Sequence, residues 1–241
     1  MCTVTFIKDH LGDYILTSNR DEKKIRETLL PKNFQVGNHQ VLYPQDKLAG
    51  GTWISMGTNG IVCCLLNGAF TAHERLASYK KSRGQVLLDV YRSGSLDEFT
   101  TLYDFREIEP FTLILFDMQN DQKLTELRWD GSTKHIQQLD ANQHHIWSSA
   151  TLYSSGFRKN RTEYFEHWSK NLQNMDENLI FSLHSSTDQE NGFILKGEEG
   201  IETVSITQLH LSSSKGAMNY YETLNKQTTT KLQPWKKILQ L

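Results

Sequence analysis

Met1-Cys2-Thr3-Val4-Thr5-Phe6-Ile7 and Tyr14-Ile15-Leu16-Thr17-Ser18-Asn19-Arg20-Asp21-Glu22 are the stretches on which the reading of this chain turns. Thr3 to Ile7 alternate β-formers, Tyr14 to Thr17 form a second such run, and Gly12-Asp13 between them supplies a turn. The chain therefore opens with a β-hairpin. The polar run Ser18 to Glu22 follows the apolar second strand, which puts it at a sheet end close to the start of the hairpin partner. Charge and amide groups are thereby brought to Cys2.

A thiol attacks a carbonyl as the thiolate, and an adjacent amine can take its proton. Cys2 carries such an amine once Met1 is trimmed, which its small side chain permits. The α-amine, with an ordinary pKa near 8, can then serve as base. Asp21 can accept from the terminal ammonium, Arg20 can hold a carboxylate or lower a thiol pKa, and Asn19 can donate from its amide. Taken singly, each motif has a plainer reading: a buried, inert cysteine opening a strand, and a charged strand end pairing with itself on the surface.

Further along, Arg26 to Asp46 is polar, contains Pro31 and Pro44, and reads as a long loop. Thr52 to Met56 and Ile61 to Leu66 form a second hairpin across Thr58-Asn59-Gly60, its second strand almost wholly apolar and so central. Asn67-Gly68 then sets an amide at a strand end, able to donate to the oxyanion of an amide hydrolysis, or simply a turn. Helices are expected over Ser82 to Arg92, Leu96 to Tyr103, Gly156 to Lys170 and Met175 to Leu183. Strands are expected over Phe111 to Asp117, Lys123 to Trp129, Ile146 to Ser148, Val204 to Leu211 and Met218 to Tyr221. Hairpins bracketing helical blocks imply an α+β domain of two packed, mainly antiparallel sheets flanked by helices, one domain over residues 1–241.

Composition excludes more than it assigns. A formal charge of -2, spread along the chain, gives no basic face for nucleic acid. No apolar run approaches the roughly 18 residues that cross a bilayer, and the start lacks a signal pattern, so no membrane insertion and a cytoplasmic location are expected. Cys2, Cys63 and Cys64 suit a reducing compartment, and Cys63-Cys64 reads as buried filler. No metal-ligand spacing occurs, so neither metal nor cofactor is expected; His144-His145 reads as a strand edge.

Met1-Cys2, the run Asn19-Arg20-Asp21-Glu22, Gly50-Gly51-Thr52-Trp53, the strand from Gly60 to Asn67, and Trp147 to Tyr153 before an arginine-containing helix together resemble the NRDE, or transport-and-Golgi-organisation, family. The resemblance covers most of the chain. It implies the four-layer αββα fold of N-terminal-nucleophile hydrolases and a distant likeness to the cysteine branch with bile-salt hydrolases and penicillin V acylases. On that likeness Cys2-Thr3, Asp21 and Asn67 match the nucleophile start, the aspartate and the oxyanion asparagine. The chain departs at Ser18, where the branch has arginine, at Ser149, where it has a second asparagine, and near Glu202-Thr203, where it has another arginine. Arg20, and Arg75 or Arg161, are the replacements on offer.

The resulting expectation is hydrolysis of a non-peptide carbon–nitrogen bond in a small linear amide. Cys2 is the nucleophile, Asn67 the oxyanion donor, Asp21 and Arg20 the orienting groups, and Asn19, Trp53 and Ser149 the substrate contacts. The alternative is a carrier for a hydrophobic metabolite such as a lipid, an acyl-thioester or haem, with Trp53, Tyr43, Phe70 and Tyr79 flanking the cleft. His73-Glu74-Arg75 forms a further polar cluster near it. Oligomeric state is left open.

Overall fold

The computed structural model describes residues 3–172, 174–188, 191–196 and 200–235. Two antiparallel sheets lie at its centre. One contains β1 (Thr3–Lys8), β2 (Tyr14–Lys23), β10 (His145–Ser148), β11 (Ile201–Leu211), β12 (Lys215–Glu222) and β13 (Gln227–Pro234), in the order β10-β1-β2-β11-β12-β13. The other runs in chain order through β3 (Thr28–Val36), β4 (His39–Asp46), β5 (Ile54–Gly57), β6 (Ile61–Asn67), β7 (Phe111–Asp117), β8 (Lys123–Trp129) and β9 (Lys134–Leu139).

Side-chain alternation along β6 builds two layers at once. Val62, Cys64 and Leu66 enter the core between the sheets, whereas Ile61, Cys63 and Leu65 face α1 (Arg83–Asp89) and α2 (Leu96–Leu102). The odd positions Ile7 and Ile15 of the first hairpin likewise pack under α3 (Ser155–Lys170) and α4 (Glu177–His184). The order of layers is helix, sheet, sheet, helix. Each helix starts on a side-chain cap: Ser82, Ser95, Ser154 and Asp176 accept from the backbone N–H three residues on. Such caps are worth about 1 kcal/mol each.

Four strands depart from the sequence reading, and three of them, β3, β9 and β13, are sheet edges. Arg26 to Asp46 is not a long loop but the hairpin β3–β4. Its strand β3 lies at the sheet margin, mostly exposed, with Pro31 inside the register shift between Leu29 and Lys32. Pro44 lies beyond Val41 and Leu42, the β4 residues that pair with β5. Proline is tolerated at edges and bulges because no ladder hydrogen bond is lost there. Strands β9 and β13, not anticipated, are the remaining outer strands opposite β3 and β10. The polar run Ser18 to Glu22 also lies within β2 rather than beyond its end.

The sheets are joined through aromatic contact. Phe116 of β7 meets Phe6 of β1 and Tyr14 of β2 edge-on, each with ring centroids 4.8 Å apart. All three are buried. Phe116→Ala is expected to lower unfolding free energy by about 3–5 kcal/mol, the range for truncating a buried phenylalanine. Urea denaturation measures it; a loss below about 1 kcal/mol would show that this contact does not hold the sheets together.

Candidate active site

Strand β1 pairs with β2 from Thr3 opposite Asn19 to Lys8 opposite Tyr14. The same β2 pairs on its other side with β11, and the register shifts between Thr203 and Ser205, opposite Asp21 and Arg20. Bulges re-aim side chains where they interrupt a ladder. Around this point β2 sends consecutive residues to opposite faces.

Asn19 and Asp21 turn toward the helical layer. Asn19 is fully buried, donates to the carbonyls of His184 (3.0 Å) and Phe193 (2.9 Å), and meets His184 Nδ1 through Oδ1 at 2.6 Å. The other ring nitrogen of His184 lies 2.8 Å from Thr5 Oγ1, so one imidazole ties β1 and β2 to α4. Burial, with Arg161 second, holds the His184 pKa down at about 3. Asp21 accepts from Tyr153 Oη at 3.0 Å and Thr203 Oγ1 at 2.5 Å. Arg161, among Tyr153, Phe157 and Phe193 with its guanidinium 4.6–4.9 Å from their ring centres, donates to Thr3 Oγ1 and to the Gly192 carbonyl.

Arg20 turns the other way. Its guanidinium donates to Asp46 Oδ2 at 2.8 Å and Thr28 Oγ1 at 3.1 Å, and sits 4.5 Å from the ring centre of Trp53. This pair joins the two sheets, with side chains only 3% and 10% exposed. Burial pulls the Arg20 pKa below its ordinary value, opposed by Asp46.

Arg20, Asp46 and Trp53 are walls of a cavity of about 490 Å³ that also reaches Asn67. Two local features shape it. Gly51 and Gly84 bring the Gly50–Trp53 segment against the start of α1, where a Cβ on Gly51 would stand 2.5 Å from the Gly84 carbonyl carbon. Gly68, at φ +79°, ends β6 so that the Asn67 carbonyl accepts from Ala150 N–H (3.2 Å) and Ser149 Oγ (2.9 Å).

The sequence-derived site residues thus divide. Arg20, Trp53 and Asn67 line the cavity, whereas Asp21 and Asn19 are not among its described walls; Asn19 is committed to α4. Ser149, buried, supports the Asn67 backbone instead of lining the space. Cys2 lies outside the described residues. Of the flanking aromatics, Tyr79 lines the cavity, but Tyr43 is buried against Phe34 in the helix-side core and Phe70 is exposed beside Arg128 and His135. Arg75 is at the cavity and Arg161 across the sheet from it.

A family model described as Transport and Golgi organisation 2 matches residues 1–223. The chain belongs to that family. Among solved structures it is similar to a variant of conjugated bile acid hydrolase from Clostridium perfringens, with 12% identity, TM-score 0.60, and coverage of 98% of this chain and 97% of that one. It is also similar to the Caenorhabditis elegans ortholog of N-acylethanolamine-hydrolyzing acid amidase, with 13% identity, TM-score 0.60, and coverage of 86% and 92% respectively. No curated protein matches by sequence. At these identities the likeness establishes the N-terminal-nucleophile hydrolase fold. No helix among the described residues is long and apolar enough to cross a membrane.

Asp46, Arg83, Glu109, Tyr153, Thr203 and His184 escaped the sequence reading as site residues. Tyr153 and Thr203 stood in stretches compared with the family, without a role; the others arrive through long-range pairing. A buried His184 held neutral gives a direct test of the hinge it forms. An unfolded histidine, with pKa near 6.5, takes up a proton that the folded one refuses, so stability falls as pH drops from about 6.5 toward the folded value of about 3. Urea midpoints at pH 7 and pH 5 should therefore differ less in His184→Gln than in the unsubstituted protein. An unchanged difference would mean that His184 does not carry this dependence.

Proposed function

We propose that this protein hydrolyses the carbon–nitrogen bond of a small linear amide, with the Cys2 thiol as nucleophile once Met1 has been removed. The observation that carries the reading is the state of the other two thiols. Cys63 and Cys64 are fully buried on opposite faces of β6, and burial pushes both pKa values up to about 12. Neither is a thiolate at neutral pH, which leaves Cys2 as the chain's remaining cysteine for nucleophilic work.

The α-amine of Cys2 takes the thiol proton, and the sulfur attacks the amide carbon to form a tetrahedral oxyanion. Asn67, at the cavity wall, donates its side-chain amide to that oxygen. The C–N bond then breaks, the ammonium returns its proton to the leaving amine, and a thioester remains. Water, deprotonated by the same amine, releases the acid and restores the thiol. Asp21, held by Tyr153 and Thr203, accepts from the ammonium, and Arg20, fixed by Asp46 and Trp53, keeps the cavity wall in place. The neighbours' names describe a hydrolase of conjugated bile acids and an amidase hydrolysing N-acylethanolamines, which supports the reaction class. A carrier of hydrophobic metabolites has less in its favour, because charged side chains make up much of the cavity wall.

Reaction with p-nitrophenyl hexanoate, followed by peptide mass spectrometry, should acylate Cys2 and leave Cys63 and Cys64 unmodified. Cys2→Ser should slow acylation, and Asn67→Ala should slow it by about 10²–10³-fold, as for loss of one oxyanion donor. Acylation at another residue, or a rate indifferent to both substitutions, would overturn the assignment.

A further inference from the structure

The cavity walls contain Arg20, Arg26, Arg75, Lys81 and Arg83 against Glu22, Asp46 and Glu109. These charges are not evenly matched. Arg20 and Arg26 are answered by Asp46 and Glu22, at 2.8 Å for Arg20–Asp46 and 3.1 Å for Arg26–Glu22. Past them, Glu109 alone faces Arg83 at 3.2 Å and Arg75 at 3.6 Å, with His73 at 3.4 Å. Lys81 shares Asp89, which lies outside the cavity wall, with Arg92. The surplus is positive and gathers at Arg75, Lys81 and Arg83.

Two of these guanidiniums differ in a useful way. The Arg83 side chain is 16% exposed and anchored on the Pro110 carbonyl at 3.2 Å, whereas that of Arg75 is 77% exposed and held only loosely. One is a fixed wall and the other can swing onto a ligand. Glu109 is two residues before Phe111, the register partner of Asn67, so this basic cluster adjoins the proposed oxyanion donor. Independently, Trp53 is 2% exposed, lines the same cavity, and its indole N–H has no hydrogen-bond partner among the described residues. A buried donor without an acceptor costs about 1–3 kcal/mol.

We infer that the substrate is anionic: it bears a carboxylate or phosphate that Arg75 and Arg83 bind with Lys81, while its amide lies toward Asn67. Planar guanidiniums suit either oxyanion through paired N–H donors, and an ammonium adds a point charge. The inference deepens the amidohydrolase reading and rests on it for the amide, but the charge preference can be measured without turnover. Long-range attraction between the basic cluster and an anion makes the preference dependent on salt.

Calorimetric titration of the Cys2→Ala protein with three ligands of one acyl chain tests it: N-hexanoylglycine, N-hexanoyl-O-phosphoethanolamine and neutral N-hexanoylethanolamine. At least one anionic ligand should bind about tenfold or more tightly than the neutral one. Whichever anion is tighter identifies the group as carboxylate or phosphate. Arg75→Glu, a change at an exposed side chain, should bring the preference to within about twofold, and Arg83→Gln should lower it too. Equal affinities, no binding by any of the three, or a preference that survives Arg75→Glu in protein with an unchanged melting temperature would overturn the inference. Anion preference in a protein whose Cys2 is not acylated would leave the binding site standing and refute the hydrolase reading alone.

Discussion

The pairing of β1 with β2 is the constraint on which everything else rests. A strand has two faces, and fixing Thr3 opposite Asn19 decides which side of the sheet each residue of Asn19-Arg20-Asp21 serves. Asn19 is spent on His184, tying the hairpin to α4, and Arg20 is spent on Asp46, tying it to the opposing sheet. A slip of one residue would exchange these roles and place a guanidinium among the apolar residues under α3 and α4. The conspicuous polar motif is therefore a device for assembling four layers, whatever part it takes in the proposed reaction.

The two buried tethers behave differently in energy terms. Asn19 and His184 satisfy one another as neutral partners, which avoids the desolvation of a charge. Arg20 and Asp46 are charged: removing Asp46 would leave the buried Arg20 guanidinium without its carboxylate, a loss of about 3–5 kcal/mol for such pairs, whereas Asp46 without Arg20 keeps Arg26 at 2.7 Å. The stacking of Arg20 on Trp53 keeps that indole fixed at the cavity wall. The residues that join the sheets thus also form the cavity wall, so charge at the wall follows from how the sheets are joined.

Much of the architecture could be read from residue order because central strands declare themselves. Ile61 to Leu66 is apolar on both faces because it is packed on both faces, and the capped helices carry Ser or Asp where the first turn needs an acceptor. Three of the four edge strands give no such signal: β3, β9 and β13 are largely exposed and polar, so their periodicity is lost against the background of loops. The site was half legible for a related reason. Arg20, Trp53 and Asn67 stand in local motifs, but Asp46, Arg83 and Glu109 reach the cavity through sheet pairing and helix placement, which no short window records. Asn19, expected as a substrate contact, is a fully buried amide holding a histidine, and in one dimension the two look alike.

The proposed chemistry depends on Cys2 carrying a free α-amine beside its sulfur. Intact-mass measurement of purified protein that turns over an amide addresses this directly. The account predicts a mass lower by one methionine residue, so that Cys2 is the first residue of every active molecule. Turnover by protein that still carries Met1 would contradict it, since the lone pair of a peptide nitrogen is delocalised into its carbonyl and cannot take the thiol proton.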